Sequence, residues 1–129
     1  MIKCISKASN FETFFTDGQQ HEGSIDAPAD KGGGDAGFRP HDLLEAALAG
    51  CLNITLRKYA AGHNIPLAGA TTWVSLNRQI PEETIFEYGL ELQGPITEAQ
   101  RQELIEAAAA CAVHQTLSRK ISFSCLSAP

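Results

Sequence analysis

Cysteine is the side chain in this sequence best suited to chemistry, because its thiolate is both a nucleophile and a metal ligand. Four cysteines stand at positions 4, 51, 111 and 125. No two form Cys-x-x-Cys, the close spacing by which structural zinc sites usually show themselves. Small disulfide scaffolds are denser in cysteine than this. The pattern leaves reduced thiols, either inert apolar residues or reactive groups. Cys111 is followed by Ala112-Val113-His114. If a helix ends near Cys111 and a new turn begins there, the N–H groups of that turn can stabilise a thiolate. His114 is near enough to assist or to satisfy the local backbone.

The elements that must carry these residues can be read from patterning. Short strands are expected at Ile2–Ser6 and Phe11–Thr16, followed by a Gly-, Asp- and Pro-rich mobile loop from Asp17 to Pro40. Proline suits a first helical position, so Pro40 opens a helix that runs to Ala61, with Gly62 placed to stop it. Asp42, Glu45, Ala49, Asn53 and Arg57 fall on one stripe of that helix, and the rest is apolar almost all round. Such a helix belongs at the centre of a core or an interface. Cys51 lies opposite the stripe, with Leu44, Ala47, Leu48, Ile54 and Thr55 around it, where burial alone would suppress its thiolate. Two strands follow, Thr71–Arg78 and Thr84–Leu92, joined through Pro81; the second turns Phe86, Tyr88, Leu90 and Leu92 inward. Thr97-Glu98-Ala99-Gln100 is a capping box opening an Ala-rich helix that reaches Cys111. A last strand, Ile121–Cys125, completes an α+β order. Cys4 and Cys125 are assigned to packing, while His21 and His63 need no role.

Composition narrows the function. At 129 residues the chain suits a single domain, 1–129, and 43% hydrophobic residues is an ordinary globular value. A formal charge of −5 lacks the Lys and Arg surplus of a nucleic-acid binder. No apolar run approaches a membrane span and the first residues are not those of a secretory signal, so a cytoplasmic location is expected and no membrane partner.

Pro40-His41-Asp42-Leu43-Leu44-Glu45-Ala46-Ala47-Leu48-Ala49-Gly50-Cys51 resembles the signature of the OsmC/organic hydroperoxide resistance family, a proline-initiated Leu/Ala-rich helix bearing a cysteine. Cys111-Ala112-Val113-His114-Gln115-Thr116-Leu117 resembles that family's second cysteine motif, and the likeness extends from about Ile2 to Phe123. The resemblance implies an OsmC-like fold: N-terminal strands, a long central helix, further strands and a second helix, assembled as an intertwined homodimer. It implies a thiol-dependent peroxidase acting on organic hydroperoxides in oxidative stress defence. Cys51 would be oxidised to a sulfenic acid and Cys111 would resolve it as a disulfide. An external dithiol, lipoylated in some members, would reopen that disulfide, with no metal or organic cofactor.

The departures fall on activation. The family's glutamate ten residues before the first cysteine is His41 here, and its arginine before an Asp-Gly turn is Thr16 before Asp17-Gly18. His41, Arg39 and His114 are the candidate substitutes, although ten helical residues put His41 about 15 Å along the axis from Cys51. Three other readings stand beside the enzyme. One is a non-catalytic OsmC-like dimer binding a small apolar molecule at its interface. Another is a structural Cys51–Cys111 disulfide, worth roughly 4 kcal/mol in the chain-entropy model. The last is a metal site from Cys51, Cys111 and His114.

Overall fold

In the computed structural model, which describes residues 1–126, the chain divides into two units, one ending at Glu45 and the other beginning at Ala46. The first carries β1 (Lys3–Ser6), β2 (Thr13–Thr16) and β3 (Glu22–Ile25) in an antiparallel sheet of order β1-β2-β3. Strand β3 lies where the sequence suggests only loop. It is stabilised by pairing with β2, where Gly23 stands opposite Phe15 and leaves room for the phenyl ring in the space a Cβ would take. Asp17 closes the β2–β3 turn, accepting from the Gln19 N–H at 2.8 Å and pairing with His21 Nδ1 at 2.7 Å.

The glycine-rich segment after β3 is also more ordered than its composition suggests. Asp26 is only 3% exposed, and its carboxylate accepts N–H groups from Ala27, Gly34 and Ala36 at 2.8, 3.0 and 3.1 Å. One buried anion thereby gathers a loop that contains a single 3-10 turn, Ala29–Lys31. The three amides hold the Asp26 pKa below the usual carboxylate value, against the opposing effect of burial.

Helix α1 spans Pro40–Gly62, beginning at the proline as expected. Its stop is set by Asn64 rather than Gly62: Asn64 adopts φ 54° and the Ile65 N–H reaches back to the Ala60 carbonyl at 2.9 Å. Asparagine tolerates this left-handed cap, so Gly62 stays inside the helix. In the second unit Leu48, Leu52, Leu56 and Ala60 are buried along one face of α1. They meet Ile65, Leu92, Leu104, Ala108 and Cys111 in the hydrophobic core.

Strands β4 (Gly69–Asn77) and β5 (Ile85–Gln93) form an antiparallel hairpin paired from Gly69–Gln93 to Asn77–Ile85. Two polar contacts tie it to α1: Asn53 Nδ2 donates to the Ala70 carbonyl, and Thr72 Oγ1 to the Ala49 carbonyl, each at 2.8 Å. Val74, Phe86 and Leu90 pack on the core, while Tyr88 remains 39% exposed. On the opposite face Trp73 is paired with Gly89, its indole lying over the glycine in the space a Cβ would need.

Thr97 and Gln100 form the expected capping box at the start of α2 (Glu98–Ala109). Among the described residues the final element is a third helix, α3 (Ala112–Leu117), and not a strand. Residues Ile121–Cys125 have the alternation of a strand but no pairing partner among the described residues, and Ile121 and Phe123 are 56% and 97% exposed. Cys4 and Cys125 are exposed as well, so neither serves packing. No helix of the described residues is long and apolar enough to cross a membrane.

Two expectations follow. Because the folded-state pKa of Asp26 lies below its unfolded value, its contribution is present above the ordinary carboxylate pKa and lost as pH falls through the folded value. The protection factors of the Gly34 and Ala36 amides, taken relative to their intrinsic exchange rates, should therefore fall on acidification below that range, and Asp26→Ala should lower them at neutral pH. Thr97→Ala should cost about 1 kcal/mol by denaturant unfolding.

Candidate functional site

The site is assembled where α2 ends. Tight bonds from the Ala110 N–H to the Ala107 carbonyl and from the Cys111 N–H to the Ala108 carbonyl, 3.1 and 3.0 Å, close that helix. Cys111 then turns extended (φ −63°, ψ 150°) and becomes the N-cap of α3, its sulfur accepting the His114 N–H at 3.4 Å. Helix N-caps are usually hydroxyl or carboxylate side chains; a sulfur acceptor takes that place here. The preceding amide, that of Val113, donates at 3.4 Å to the sulfur of Cys51, halfway along α1. Two consecutive N–H groups thus end on two different sulfurs. Both cysteines are free thiols.

The two thiols are not equivalent. Burial pushes the Cys51 pKa up. The Val113 amide, the S–H of Cys111, the Thr55 hydroxyl and the Ala112 amide push it down, and the donors prevail. Cys111 is 1% exposed, and burial raises its pKa; the His114 amide opposes this, while donating its proton to Cys51 and facing that sulfur's charge raise it further. The half-buried sulfur is therefore the one favoured as thiolate, with the deeper thiol its hydrogen-bond donor. Thr55 lies one turn after Cys51, a spacing that shares a helix face, but nothing in the sequence marks it as a donor to sulfur.

His114 contributes through its backbone and its ring. The ring meets Tyr88 edge-on, with centroids 6.3 Å apart at 87°, and its Nδ1 is 3.5 Å from Ser118 Oγ. It lines a cleft of about 220 Å³ together with Leu48, Thr84, Phe86, Leu117 and Ser118. The other two candidates stand in the first unit. Arg39 is held by Asp42, with Nη2 at 2.8 Å and Nε at 3.1 Å from Oδ1. His41 is exposed in the first turn of α1, ten residues before Cys51. Among the described residues no group of three or more His, Cys, Asp or Glu is placed to hold a metal ion, so the Cys51–Cys111–His114 metal reading has no geometric support.

A family model described as OsmC-like protein matches residues 32–125. The fold is similar to that of an OsmC-like protein from Mycoplasma pneumoniae, with 22% identity, a TM-score of 0.73, and coverage of 91% of this chain and 85% of that one. It is similar also to the organic hydroperoxide resistance protein OsmC of Legionella pneumophila (20% identity, TM-score 0.65, covering 92% and 88%). OhrB, the organic hydroperoxide resistance protein of Bacillus subtilis, gives 21% identity, a TM-score of 0.64, and coverage of 92% and 89%. No curated protein sequence matches.

Alkylation should separate the thiols. With iodoacetamide and peptide mapping across a pH series, Cys51 should react with a midpoint below the ordinary thiol value, and Cys111 with one above it. The reverse order would contradict the assignment of the thiolate to Cys51.

Proposed function

The chain belongs to the OsmC-like protein family, and from that premise we propose that it is a thiol-dependent peroxidase reducing organic hydroperoxides in oxidative stress defence. We read residues 1–129 as one domain of that family, with Cys51 as the attacking thiol and Cys111 as the resolving one. The observation that carries the reading is the asymmetric pair. The more accessible sulfur receives the amide and S–H donors, and the second thiol is already in contact with it.

The Cys51 thiolate attacks the terminal peroxide oxygen, the O–O bond breaks, and the alcohol leaves once its oxygen is protonated. Cys51 is then a sulfenic acid. Cys111 attacks that sulfur, expelling water and forming a disulfide before over-oxidation can proceed. An external dithiol, possessing both electrons needed, reopens the disulfide by exchange and restores the two thiols. The cycle calls for no resident cofactor, and its dithiol reductant fits a cytoplasmic setting.

We read the functional unit as a homodimer. Ala46, Ala47, Gly50 and Ile54 leave an exposed apolar ridge on α1, with Ile54 58% exposed, and Cys51 sits beside it. A second copy over that ridge would enclose the sulfur and exclude water from it. Sedimentation at low micromolar concentration should accordingly give a dimer; a monodisperse folded monomer would refute it.

Reduced protein given cumene hydroperoxide should lose two thiols per chain and yield the Cys51–Cys111 peptide link. Cys51→Ser should abolish peroxide consumption, because a hydroxyl without a base is a poor nucleophile. In Cys111→Ser the first oxidation should persist and Cys51 should continue to sulfinic acid. Equal, slow consumption by wild type and Cys51→Ser would remove the enzyme reading in favour of a non-catalytic dimer that binds a small apolar molecule.

A further inference from the structure

The chemistry above leaves one proton unassigned, the one that the departing alkoxide must acquire. Alkoxides are strong bases, and expelling one unprotonated is slow; a placed general acid typically contributes about 10²–10⁴-fold. A cleft between α1, the start of β5 and α3 is lined by Leu48, Thr84, Phe86, His114, Leu117 and Ser118, and the titratable group among these is His114. The cleft reaches both sulfur-bearing segments. Leu48 precedes Cys51 by one turn of α1, and His114 follows Val113, whose N–H is on the Cys51 sulfur at 3.4 Å.

The ring is fixed in the wall of that cleft. Tyr88 meets it edge-on at 6.3 Å. Ser118 gives its own hydroxyl proton to the His114 carbonyl at 2.8 Å, so its oxygen has only lone pairs left to offer Nδ1, 3.5 Å away. Nδ1 is thereby assigned as N–H, and Nε2 is left to take up and release a proton.

We propose that the His114 imidazolium donates this proton to the leaving alkoxide when Cys51 attacks a hydroperoxide, a role that rests on the peroxidase reading given above. In the step, the Cys51 thiolate forms an S–O bond to the terminal oxygen and the O–O bond breaks. Sulfur is oxidised by two electrons, and these pass to the departing oxygen. That oxygen takes the proton from Nε2, so thiolate, hydroperoxide and imidazolium become sulfenic acid, alcohol and neutral imidazole. Solvent at the open cleft reprotonates the ring. His114 is then a catalytic residue in its own right, distinct from the backbone N–H by which it caps Cys111.

The test compares oxidants that differ in whether the leaving group needs a proton. Oxidation of Cys51 is followed under single-turnover conditions by rapid quench and mass spectrometry, using tert-butyl hydroperoxide or peracetic acid, whose carboxylate leaves unaided. His114→Gln should slow the first reaction by about 10²-fold and leave the second within a few-fold of wild type. Alkylation of Cys51 by iodoacetamide, where iodide departs without a proton, should also be unchanged. A variant slowed equally toward both oxidants and toward iodoacetamide would show a structural role and overturn the proposal, as would one slowed toward none. His114→Asn should repeat the selective loss; if it does not, the loss belongs to the Gln side chain and the proposal fails. If wild type oxidises no faster than Cys51→Ser with either oxidant, the peroxidase reading itself falls and this inference with it.

Discussion

The Val113 N–H donates to the Cys51 sulfur at 3.4 Å, and through that contact the middle of α1 and the start of α3 hold one another. Six residues are too few for an isolated helix to persist in water. Helix α3 persists because Val113 and Leu117 pack against the core and because Cys111 satisfies an N–H that would otherwise be orphaned. The donors that favour the Cys51 thiolate are therefore products of packing. They carry no full charge, unlike a guanidinium, and the Ala112 and Val113 amides among them are lost if the small helix unwinds. Reactivity and local stability are one property at this site.

The same dependence accounts for the unequal behaviour of two identical side chains. Cys51 has its environment supplied by α3, by Thr55 and by Cys111, whereas Cys111 is sealed in the core, where burial and the neighbouring Cys51 sulfur outweigh the amides of His114 and Val113. Environment, not residue type, separates attacker from resolver, as with paired carboxylates elsewhere. The four consecutive alanines before Cys111 bring small side chains to the point where α2 ends, and Ala108 among them lies in the core.

Much of this was legible in the sequence, and the exceptions share a cause. Helix α1 and the β4–β5 hairpin declare themselves by long periodic patterns, and Thr97 by a capping box whose chemistry is local. Strand β3, Glu22-Gly23-Ser24-Ile25, has poor strand propensity; it exists because β2 offers a partner and Phe15 a ring to cover the glycine. Ile121–Cys125 shows the converse, a good alternating pattern with nothing to pair against among the described residues. Helix α3 is too short to announce itself by periodicity. Asp26 reads as one loop acid among several until its three amide partners are seen. Of the site, the two cysteines could be named from their motifs, while the donors around them come from tertiary contact and have no spacing to read.

Trp73 is the only tryptophan in the chain, and it lies over Gly89 on the side of the hairpin turned away from the core. With 53% of its surface exposed, it is half bathed in solvent and half shielded by the strand beneath. Its emission is therefore a spectroscopic probe of one address, the outer surface of β4–β5. A shift in its wavelength reports water leaving or reaching that surface, whereas a change confined to the sulfurs on the far side of the sheet reaches it only by moving the strands themselves.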